Sequence, residues 1–275
     1  MEYYDFSYFI DGKIKKDVSS VVTIGVFEAF HKGHQDVIES LMRMKKETNA
    51  ECAIVITFSI NPKPGRSEKI DTLRLRKENL ALYGIDCIVT IDFSQQFSKI
   101  SASGFLKMLI SSVNLKAIVV GEDFRFGSPV AAATAYELAP MLKALGCDAS
   151  VEFVAPILME GGEKISSTLL RRMIKEGRLQ MFQEFSGQFY TLDLLESPYA
   201  IKGEELVLRT SDIHQLLPPQ GAYDGILTFL DKRSEPVDIV INDDLLSITS
   251  RHNRFDALLL AQKDKLLLER KNDFS

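Results

Sequence analysis

The sequence has few cysteines, no excess of basic residues and no long apolar run, and each absence argues against a class of protein. Cys52, Cys87 and Cys147 lie far apart and form no C-x-x-C pair, which argues against a disulfide framework and against a zinc site. We therefore predict reduced, mostly buried thiols. Lys and Arg total 33 against 38 for Asp and Glu, so the net charge of -5 provides no general attraction to nucleic acid or anionic lipid.

Targeting and membrane signals are also lacking. No segment approaches the run of about 18 apolar residues that a membrane-spanning helix needs. Residues 1–13 are aromatic and acidic, rather than basic and then apolar as in a signal peptide. These features predict a cytoplasmic protein with neither a nucleic-acid partner nor a membrane partner.

The composition that remains is that of an ordinary globular protein. The chain has 275 residues, of which 45% are hydrophobic and 26% are charged. Disordered and collagen-like chains have different compositions, so both classes are excluded. At about 150 residues per domain, the length predicts two domains.

Short apolar, β-branched runs alternate with amphipathic stretches between residue 21 and about residue 187. This alternation predicts a Rossmann-like α/β domain whose parallel sheet is covered by helices on both faces. The predicted strands are residues 21–25, 52–58, 86–91, 117–121 and 151–154. The predicted helices are residues 35–47, 71–83, 103–113, 130–145 with a bend near Pro140, and 167–175.

The pattern changes after Tyr190. Residues 237–241 and 245–249 alternate like the two strands of a hairpin, and the excess of negative charge lies wholly after Tyr190. Residues 258–260 and 266–268 predict either a second hairpin, with residues 262–265 as its turn, or an amphipathic helix. We expect a catalytic α/β domain over 1–190 and a small, barrel-like all-β domain over 191–275.

Two histidines follow the first predicted strand. Residues 25–34 read Gly-Val-Phe-Glu-Ala-Phe-His-Lys-Gly-His, and His31 and His34 are half of the histidines in the chain. Open α/β sheets bind ligands at the carboxyl ends of their strands, where the next helix offers unpaired N–H groups to phosphate. Gly33 allows a tight turn between the two rings, so the pattern predicts a site that stabilises a phosphoryl transition state. The alternative is a polar pair that caps the helix.

A second polar cluster lies where a loop enters the helix predicted over 167–175. Ser166, Ser167 and Thr168 place hydroxyls at its first turn, and Arg171 lies one turn beyond Ser167 on the same face. Such hydroxyls either cap a helix or bind an anion, and the pattern is compatible with both.

Two further polar segments follow predicted strands. Asp123, Phe124 and Arg125, within Gly-Glu-Asp-Phe-Arg-Phe-Gly at 121–127, could grip a planar heterocycle; alternatively, the segment is a turn whose phenylalanines enter the core. Asn61 belongs to a proline-rich loop after the second strand, and we expect this loop to face the same crevice.

Taken in order, these motifs resemble the adenylyltransferase domain of the prokaryotic bifunctional riboflavin kinase/FAD synthetase family. Members of that family read G-x-F-D-G-x-H-x-G-H, T-F-x-P-H-P, V-G-x-D-F-R-F-G, S-S-T-x-I-R and L-G-R-P-Y. The corresponding segments here are residues 25–34, 57–62, 120–127, 166–171 and 187–190. The resemblance covers residues 18–190, and H-x-G-H together with residues 121–127 are its most specific parts.

The resemblance implies transfer of AMP from ATP to the phosphate of FMN, which gives FAD and pyrophosphate. Mg²⁺ would bridge the ATP phosphates without a dedicated carboxylate cage. The implied catalytic residues are His31, His34, Ser167 and Arg171. The implied ATP-binding residues are Gly25, Phe27, Gly33, His34, Gly121, Ser166, Ser167, Thr168 and Arg171, and the implied flavin-binding residues are Asn61, Asp123, Phe124 and Arg125. Because the FMN phosphate is already ionised, positioning and charge stabilisation suffice without a strong base.

The chain departs from the family pattern at three places in this domain. Glu28 and Ala29 replace Asp-Gly before the first histidine, Asn61 replaces the histidine of P-H-P, and Leu169 replaces a usual arginine. These departures leave open a degenerate relative that binds flavin or ATP without catalysis. A nucleotidyltransferase with a different acceptor is a second alternative, because H-x-G-H and the S-S-T motif report on ATP more than on its partner.

The C-terminal region departs further from the kinase barrel of this family. Thr210 and Asp212 are possible remnants of the threonine and asparagine of its G-x-P-T-A-N motif, and residues 217–223 are similar to its L-P-x-x-G-V-Y. Only 52 residues follow Tyr223, fewer than the barrel normally uses, and no segment matches the one that carries its catalytic glutamate. We therefore predict that riboflavin phosphorylation has been lost.

Overall fold

The computed structural model describes residues 1–13, 16–60, 68–92, 97–128, 130, 132–203, 205–251 and 263–270. The chain divides into two compact units. The first comprises Met1–Arg66 and Arg76–Ile165, and the second comprises Ser67–Leu75 and Ser166–Ser275. In the part of the chain that is described, no helix is both long enough and apolar enough to cross a membrane.

A six-stranded parallel sheet forms the centre of the first unit. The strands of this unit are β1 (Glu2–Asp5), β2 (Ser19–Ile24), β3 (Cys52–Phe58), β4 (Cys87–Ile91), β5 (Asn114–Gly121), β6 (Arg125–Phe126), β7 (Ala133–Thr134) and β8 (Ser150–Val154). The sheet order is β1-β4-β3-β2-β5-β8, and β6 pairs with β7 as a separate ribbon. From β2 the chain adds strands first on one side and then, with β5, on the other. The carboxyl ends of β2 and β5 therefore flank the switch point where such sheets bind ligands.

Helices cover both faces of this sheet, as the nearly continuous apolar strands predict. The helices are α1 (Phe6–Tyr8), α2 (Lys32–Glu47), α3 (Leu73–Ala81), which begins in the segment assigned to the second unit, α4 (Ala102–Ser112) and α5 (Leu138–Ala144). Val22 of β2 belongs to the core cluster that includes Leu106 of α4. The preceding Val21 belongs to the opposite cluster with Ile38 and Leu41 of α2, because successive strand residues point to opposite faces. The predicted α/β class is confirmed.

The second unit is built on a seven-stranded antiparallel sheet. It contains α6 (Ser167–Lys175), α7 (Leu179–Ser186), β9 (Tyr190–Asp193), β10 (Ala200–Lys202), β11 (Glu205–Arg209), β12 (Gly221–Phe229), β13 (Ser234–Ile241), β14 (Leu245–Ser250) and β15 (Lys263–Arg270). The strand order is β10-β11-β14-β13-β12-β15-β9. The all-β character expected after Tyr190 is confirmed, and the predicted hairpin of 237–241 with 245–249 corresponds to β13 and β14.

The helix predicted over 130–145 is wrong in its first half. Thr134 instead ends a short strand and forms a capping box with Glu137, and α5 begins only at Leu138. Pro140 therefore lies in the first turn of α5, where its missing N–H needs no intrahelical partner, and it bends no longer helix. The mistake arose because the cap lies in the middle of a helix-compatible run.

The turn predicted at 262–265 is also wrong where the structure describes it, because Lys263–Arg270 is one strand. The predicted partner strand at 258–260 and residue 262 lie outside the described residues. β15 pairs with β12 and with β9, both distant in sequence, which excludes the helical alternative for this segment. Local patterns carry little information about such long-range pairing.

The predicted burial of the cysteines is found for one of the three. Cys87 is buried, Cys52 and Cys147 are half-buried, and all three are free.

Candidate active site

The two histidines of the first motif lie at the switch point of the parallel sheet. After β2, the Gly25 N–H donates to the Ile56 carbonyl (3.0 Å), and a 3-10 turn over Glu28–Phe30 leads to His31 at the N-cap of α2. The rings of His31 and His34 stack with their centroids 3.8 Å apart and their planes 19° apart. Within the described residues, the His31 side chain makes no capping hydrogen bond, so the geometry does not favour the capping alternative for that ring.

His31 is a buried, neutral imidazole. Its exposed fraction is 6%, and its Nδ1 atom has no hydrogen-bond partner among the described residues. Burial, with a smaller effect from the nearby positive charge of Lys164, lowers the pKa of His31 to about 4, and Asp123 only partly opposes this. At neutral pH the ring therefore carries one N–H donor and no charge.

Gly33 permits the close approach of this ring. A Cβ atom at position 33 would lie 3.3 Å from Nδ1 of His31, closer than a side chain normally tolerates. Glycine thus leaves room for the stacked pair at the start of α2.

The turn that leads to the histidines is strained. Phe27, Ala29 and Phe30 adopt φ values of 53°, 61° and 21°, which L-residues with side chains rarely adopt. Ala29 occupies the position at which the family pattern has glycine, the residue for which this conformation carries no penalty. The Phe27 ring meets the His34 ring edge to face at 5.3 Å, so the strained turn also packs against the second histidine. Strain of this kind concentrates at functional sites.

The segment after β5 ends beside the same edge of the sheet. A Cβ atom at Gly121 would lie 3.3 Å from Oδ1 of Asp123, and the exposed Asp123 carboxylate pairs with Lys164. Phe124 is half-buried and stacks on the core residue Phe126, with ring centroids 5.5 Å apart. Phe126 thus packs in the core, as the alternative interpretation of this segment predicts. Asp123 and Arg125, by contrast, present charge at the surface.

The cluster around α6 belongs to the second unit. Ser166 is the N-cap of α6, and its hydroxyl accepts a hydrogen bond from the Leu169 N–H at 3.3 Å. Arg171 donates from Nη1 to the Glu68 carbonyl at 2.6 Å. Ser167 is half-buried and Thr168 exposed in the first turn. Capping by Ser166 is therefore real, and it leaves the hydroxyl hydrogen available to an acceptor.

Among the predicted site residues, the structure brings His31, His34, Gly25, Phe27 and Gly33 together in one turn of the first unit. Asp123, Phe124 and Arg125 follow the adjacent strand β5. Ser166–Arg171 form a separate group within the second unit. Asn61 lies outside the described residues, so its predicted role stays a prediction.

Two residues that contact these motifs were not predicted from the sequence. Lys164 lies just before the serines, pairs with Asp123 and contributes to the lowered pKa of His31. Arg76 lies within the helix predicted over 71–83 and is buried beneath the loops after β2 and β3. No spacing signal identifies a buried arginine in a helix that also carries Arg74 and Lys77.

In the part of the chain that the structure describes, no set of three or more His, Cys, Asp and Glu side chains converges into a cation site.

Sequence comparison relates the chain to enzymes of flavin nucleotide synthesis. The family described as FAD synthetase matches residues 13–169. A bifunctional riboflavin kinase/FMN adenylyltransferase of Buchnera aphidicola (from Schizaphis graminum) is 28% identical over 65% of this chain and 58% of its own length. An FAD synthetase of Listeria monocytogenes is 28% identical over 73% of this chain and 82% of its own. The bifunctional enzyme of Escherichia coli K12 is 27% identical over 66% and 56%, so the chain matches little more than half of these bifunctional relatives.

A solved structure shares the fold. A Streptococcus pneumoniae protein described as a macrolide-efflux protein superposes with a TM-score of 0.78 over 93% of this chain and 94% of its own, at 22% identity. At this identity the similarity supports the architecture alone.

Proposed function

The chain belongs to the FAD synthetase family, and from that premise we propose that it transfers AMP from ATP to FMN, giving FAD and pyrophosphate. The observation that carries the proposal is the stacked pair of His31 and His34 at the switch point of the sheet. This is the edge where an open α/β sheet binds a nucleotide, and the pair stands at the start of a long helix whose first N–H groups suit phosphate.

In the proposed reaction, an oxygen of the FMN phosphate attacks the α-phosphorus of ATP. A new phosphorus–oxygen bond forms, the bond from the α-phosphorus to the oxygen that bridges it to the β-phosphate breaks, and pyrophosphate leaves with that bridging oxygen. The neutral His31 ring and the adjacent His34 donate hydrogen bonds to phosphate oxygens as charge develops on them. Gly25, Phe27, Gly33 and Gly121 shape the backbone around the nucleotide.

Roles for the remaining site residues follow from their chemistry. We assign Asn61, Asp123, Phe124 and Arg125 to FMN, because they offer hydrogen bonds, charge and an aromatic face. We assign Ser166, Ser167, Thr168 and Arg171 to the β- and γ-phosphates, because a helix N-terminus with hydroxyls and a guanidinium suits an anion. Mg²⁺, when bound to ATP, would neutralise phosphate charge. The chemistry would occur in the cytoplasm on small-molecule substrates.

We further propose that residues 1–190 carry this chemistry and that residues 191–275 no longer phosphorylate riboflavin. Thr210, the possible remnant of a kinase motif, donates its hydroxyl to the Asp243 carbonyl at 2.7 Å, and its N–H donates to the Asp244 carbonyl at 2.9 Å. These bonds give Thr210 a structural role at the end of β11, because they link it to the turn before β14.

The central test is formation of FAD by the purified chain. Incubation with ATP, Mg²⁺ and FMN should produce equal amounts of FAD and pyrophosphate. A parallel reaction with riboflavin in place of FMN should produce no FMN. Flavin binding without FAD would instead indicate a degenerate binding relative, and consumption of ATP only with another phosphate acceptor would indicate a different nucleotidyltransferase.

Substitution of the second histidine tests the site itself. We expect His34→Asn to lower kcat by about 100-fold or more, because the shorter amide no longer places a donor where the far nitrogen of the imidazole would meet the transition state. His214→Asn is a matched control, since His214 is exposed and lies in the second unit. Equal kcat values for the two variants would contradict the proposed role of His34.

A further inference from the structure

Arg76 is a buried charged residue next to the candidate site. Its exposed fraction is 3%, although arginine is rarely buried unless its guanidinium is well paired. It lies in the middle of α3, on the chain segment that returns to the first unit.

The guanidinium of Arg76 binds the loop that leads to the histidines. Nη1 donates to the Val26 carbonyl at 2.8 Å and to Oγ1 of Thr57 at 3.3 Å. The Thr57 hydroxyl also donates to the Val26 carbonyl, at 3.1 Å. One carbonyl of the loop after β2 is thus held by two donors from other elements.

The other arm of the guanidinium binds the loop after β3. Nη2 donates to the Ser59 carbonyl at 3.2 Å. Ser59 is fixed in turn, since its N–H donates to the Ile91 carbonyl at 2.8 Å. A single planar side chain therefore spans the exits of two neighbouring parallel strands.

The Val26 carbonyl lies directly before the strained turn. The next residue, Phe27, has a φ of 53°, and its ring packs against His34. A shift of the Val26–Phe27 peptide would therefore move the surface on which His34 rests, and His34 stacks on His31.

We propose that Arg76 is a positioning residue for adenylyl transfer: it fixes the loop that orients His31 and His34 relative to the loop after β3. This inference rests on the proposed function. A guanidinium is required because its fixed, planar donors reach both loops at once, whereas a lysine ammonium is a point charge on a flexible stem. Since a misplacement of about 1 Å can reduce a rate about 100-fold, the bridge affects catalysis without touching substrate.

The test compares Arg76→Lys with Arg74→Lys. Both residues lie in α3, but Arg74 pairs with Asp193 and donates to it from Nε at 3.0 Å. Three quantities are measured for each full-length variant: the melting temperature, the imidazole NMR resonances of His31 and His34, and kcat with KM for ATP and FMN. Arg76→Met is added as a more severe variant.

We expect Arg76→Lys to remain folded and the resonances of His31 and His34 to shift in this variant. Its kcat should fall by at least about tenfold, whereas its KM for ATP should change less than about threefold. Arg74→Lys should leave the resonances and kcat unchanged. Unshifted resonances in Arg76→Lys, or a kcat within twofold of the unmodified chain, would overturn the proposal. If the unmodified chain makes no FAD, the proposed function fails, whereas the histidine resonances still decide whether Arg76 holds the loop.

Discussion

At the residue scale, His31 is a buried imidazole that carries no charge at neutral pH. His31 can donate a hydrogen bond only because one ring nitrogen keeps its proton at neutral pH, and its burial keeps the second from gaining one. Because this environment disfavours protonation of His31 only in the folded state, the stability of the protein depends on pH.

We expect stability to decrease as the pH falls from about 6.5 towards 4. Over that window the unfolded His31 takes up a proton and the folded one does not, so the folded state loses stability, by about 3 kcal/mol at the acid end. His31→Gln, which stays neutral, should lack this part of the pH dependence. Urea unfolding of the unmodified chain and of His31→Gln, at neutral pH and near pH 5, measures this pH dependence. An equal loss of unfolding free energy in the two proteins would contradict the uncharged state assigned to His31.

The strained turn offers a second prediction. Ala29→Gly should raise the free energy of unfolding by about 1 kcal/mol, because glycine adopts a φ of 61° without steric cost. Ala53→Gly, in the regular strand β3, should destabilise the protein instead. Denaturant unfolding compares the two. An Ala29→Gly variant as destabilised as Ala53→Gly would show that the turn carries no strain.

At the scale of elements, regular segments were predictable and their partners were not. The predicted strand over 52–58 and helix over 167–175 match β3 and α6 because apolar periodicity and the Ser166 cap are local signals. The pairing of β15 with β9 and β12 was not predictable, because it joins segments far apart in sequence.

The residues of the candidate site show the same contrast between local signals and long-range contacts. His31, His34 and Gly33 were identified because their spacing is a short motif after a strand. Arg76 was not, because its role depends on carbonyls of two loops that meet it only in the folded chain.

The N-terminus of α6 can be tested for its two possible roles separately. Ser166→Asp should keep the helix cap, since aspartate caps as well as serine, and should leave stability within about 0.5 kcal/mol. The added negative charge should raise KM for ATP at least about tenfold if Ser166 binds phosphate. Steady-state kinetics beside thermal unfolding separates the effects. If KM for ATP is unchanged in a stable Ser166→Asp variant, the role of Ser166 is limited to capping α6.

At the scale of the whole molecule, the second unit is discontinuous in sequence. Gln215 donates from Nε2 to the carbonyls of Ile70 (2.7 Å) and Thr191 (2.9 Å), so Ser67–Leu75 is held to residues more than a hundred positions later. Burial raises the pKa of Asp193, but hydrogen bonds from Arg74 and Thr72 outweigh this and hold it below its ordinary value.

We expect Asp193→Asn to destabilise the chain by about 3 kcal/mol at neutral pH, since it leaves Arg74 without its charged partner. Because the folded pKa of Asp193 is lowered, this difference should shrink as the pH falls below the ordinary carboxyl range near 4. Amide hydrogen exchange should show lost protection around Leu75 and in β9. Asp231→Asn, at an exposed ion pair, should change neither the stability nor the exchange protection. Equal effects of Asp193→Asn and Asp231→Asn would contradict the proposed role of the Arg74–Asp193 pair.

The discontinuity has a consequence for the order of events during synthesis. Residue 75 leaves the ribosome about 140 residues before Gln215, which at about 5–20 residues per second is a delay of roughly 7–28 seconds. During that interval the parallel sheet of the first unit can already assemble, while the segment before Arg76 has no completed partner. The nascent chain therefore carries, between the two parts of its first unit, a nine-residue segment whose contacts in the second unit have not yet formed. Translation speed sets how long chaperones have access to it.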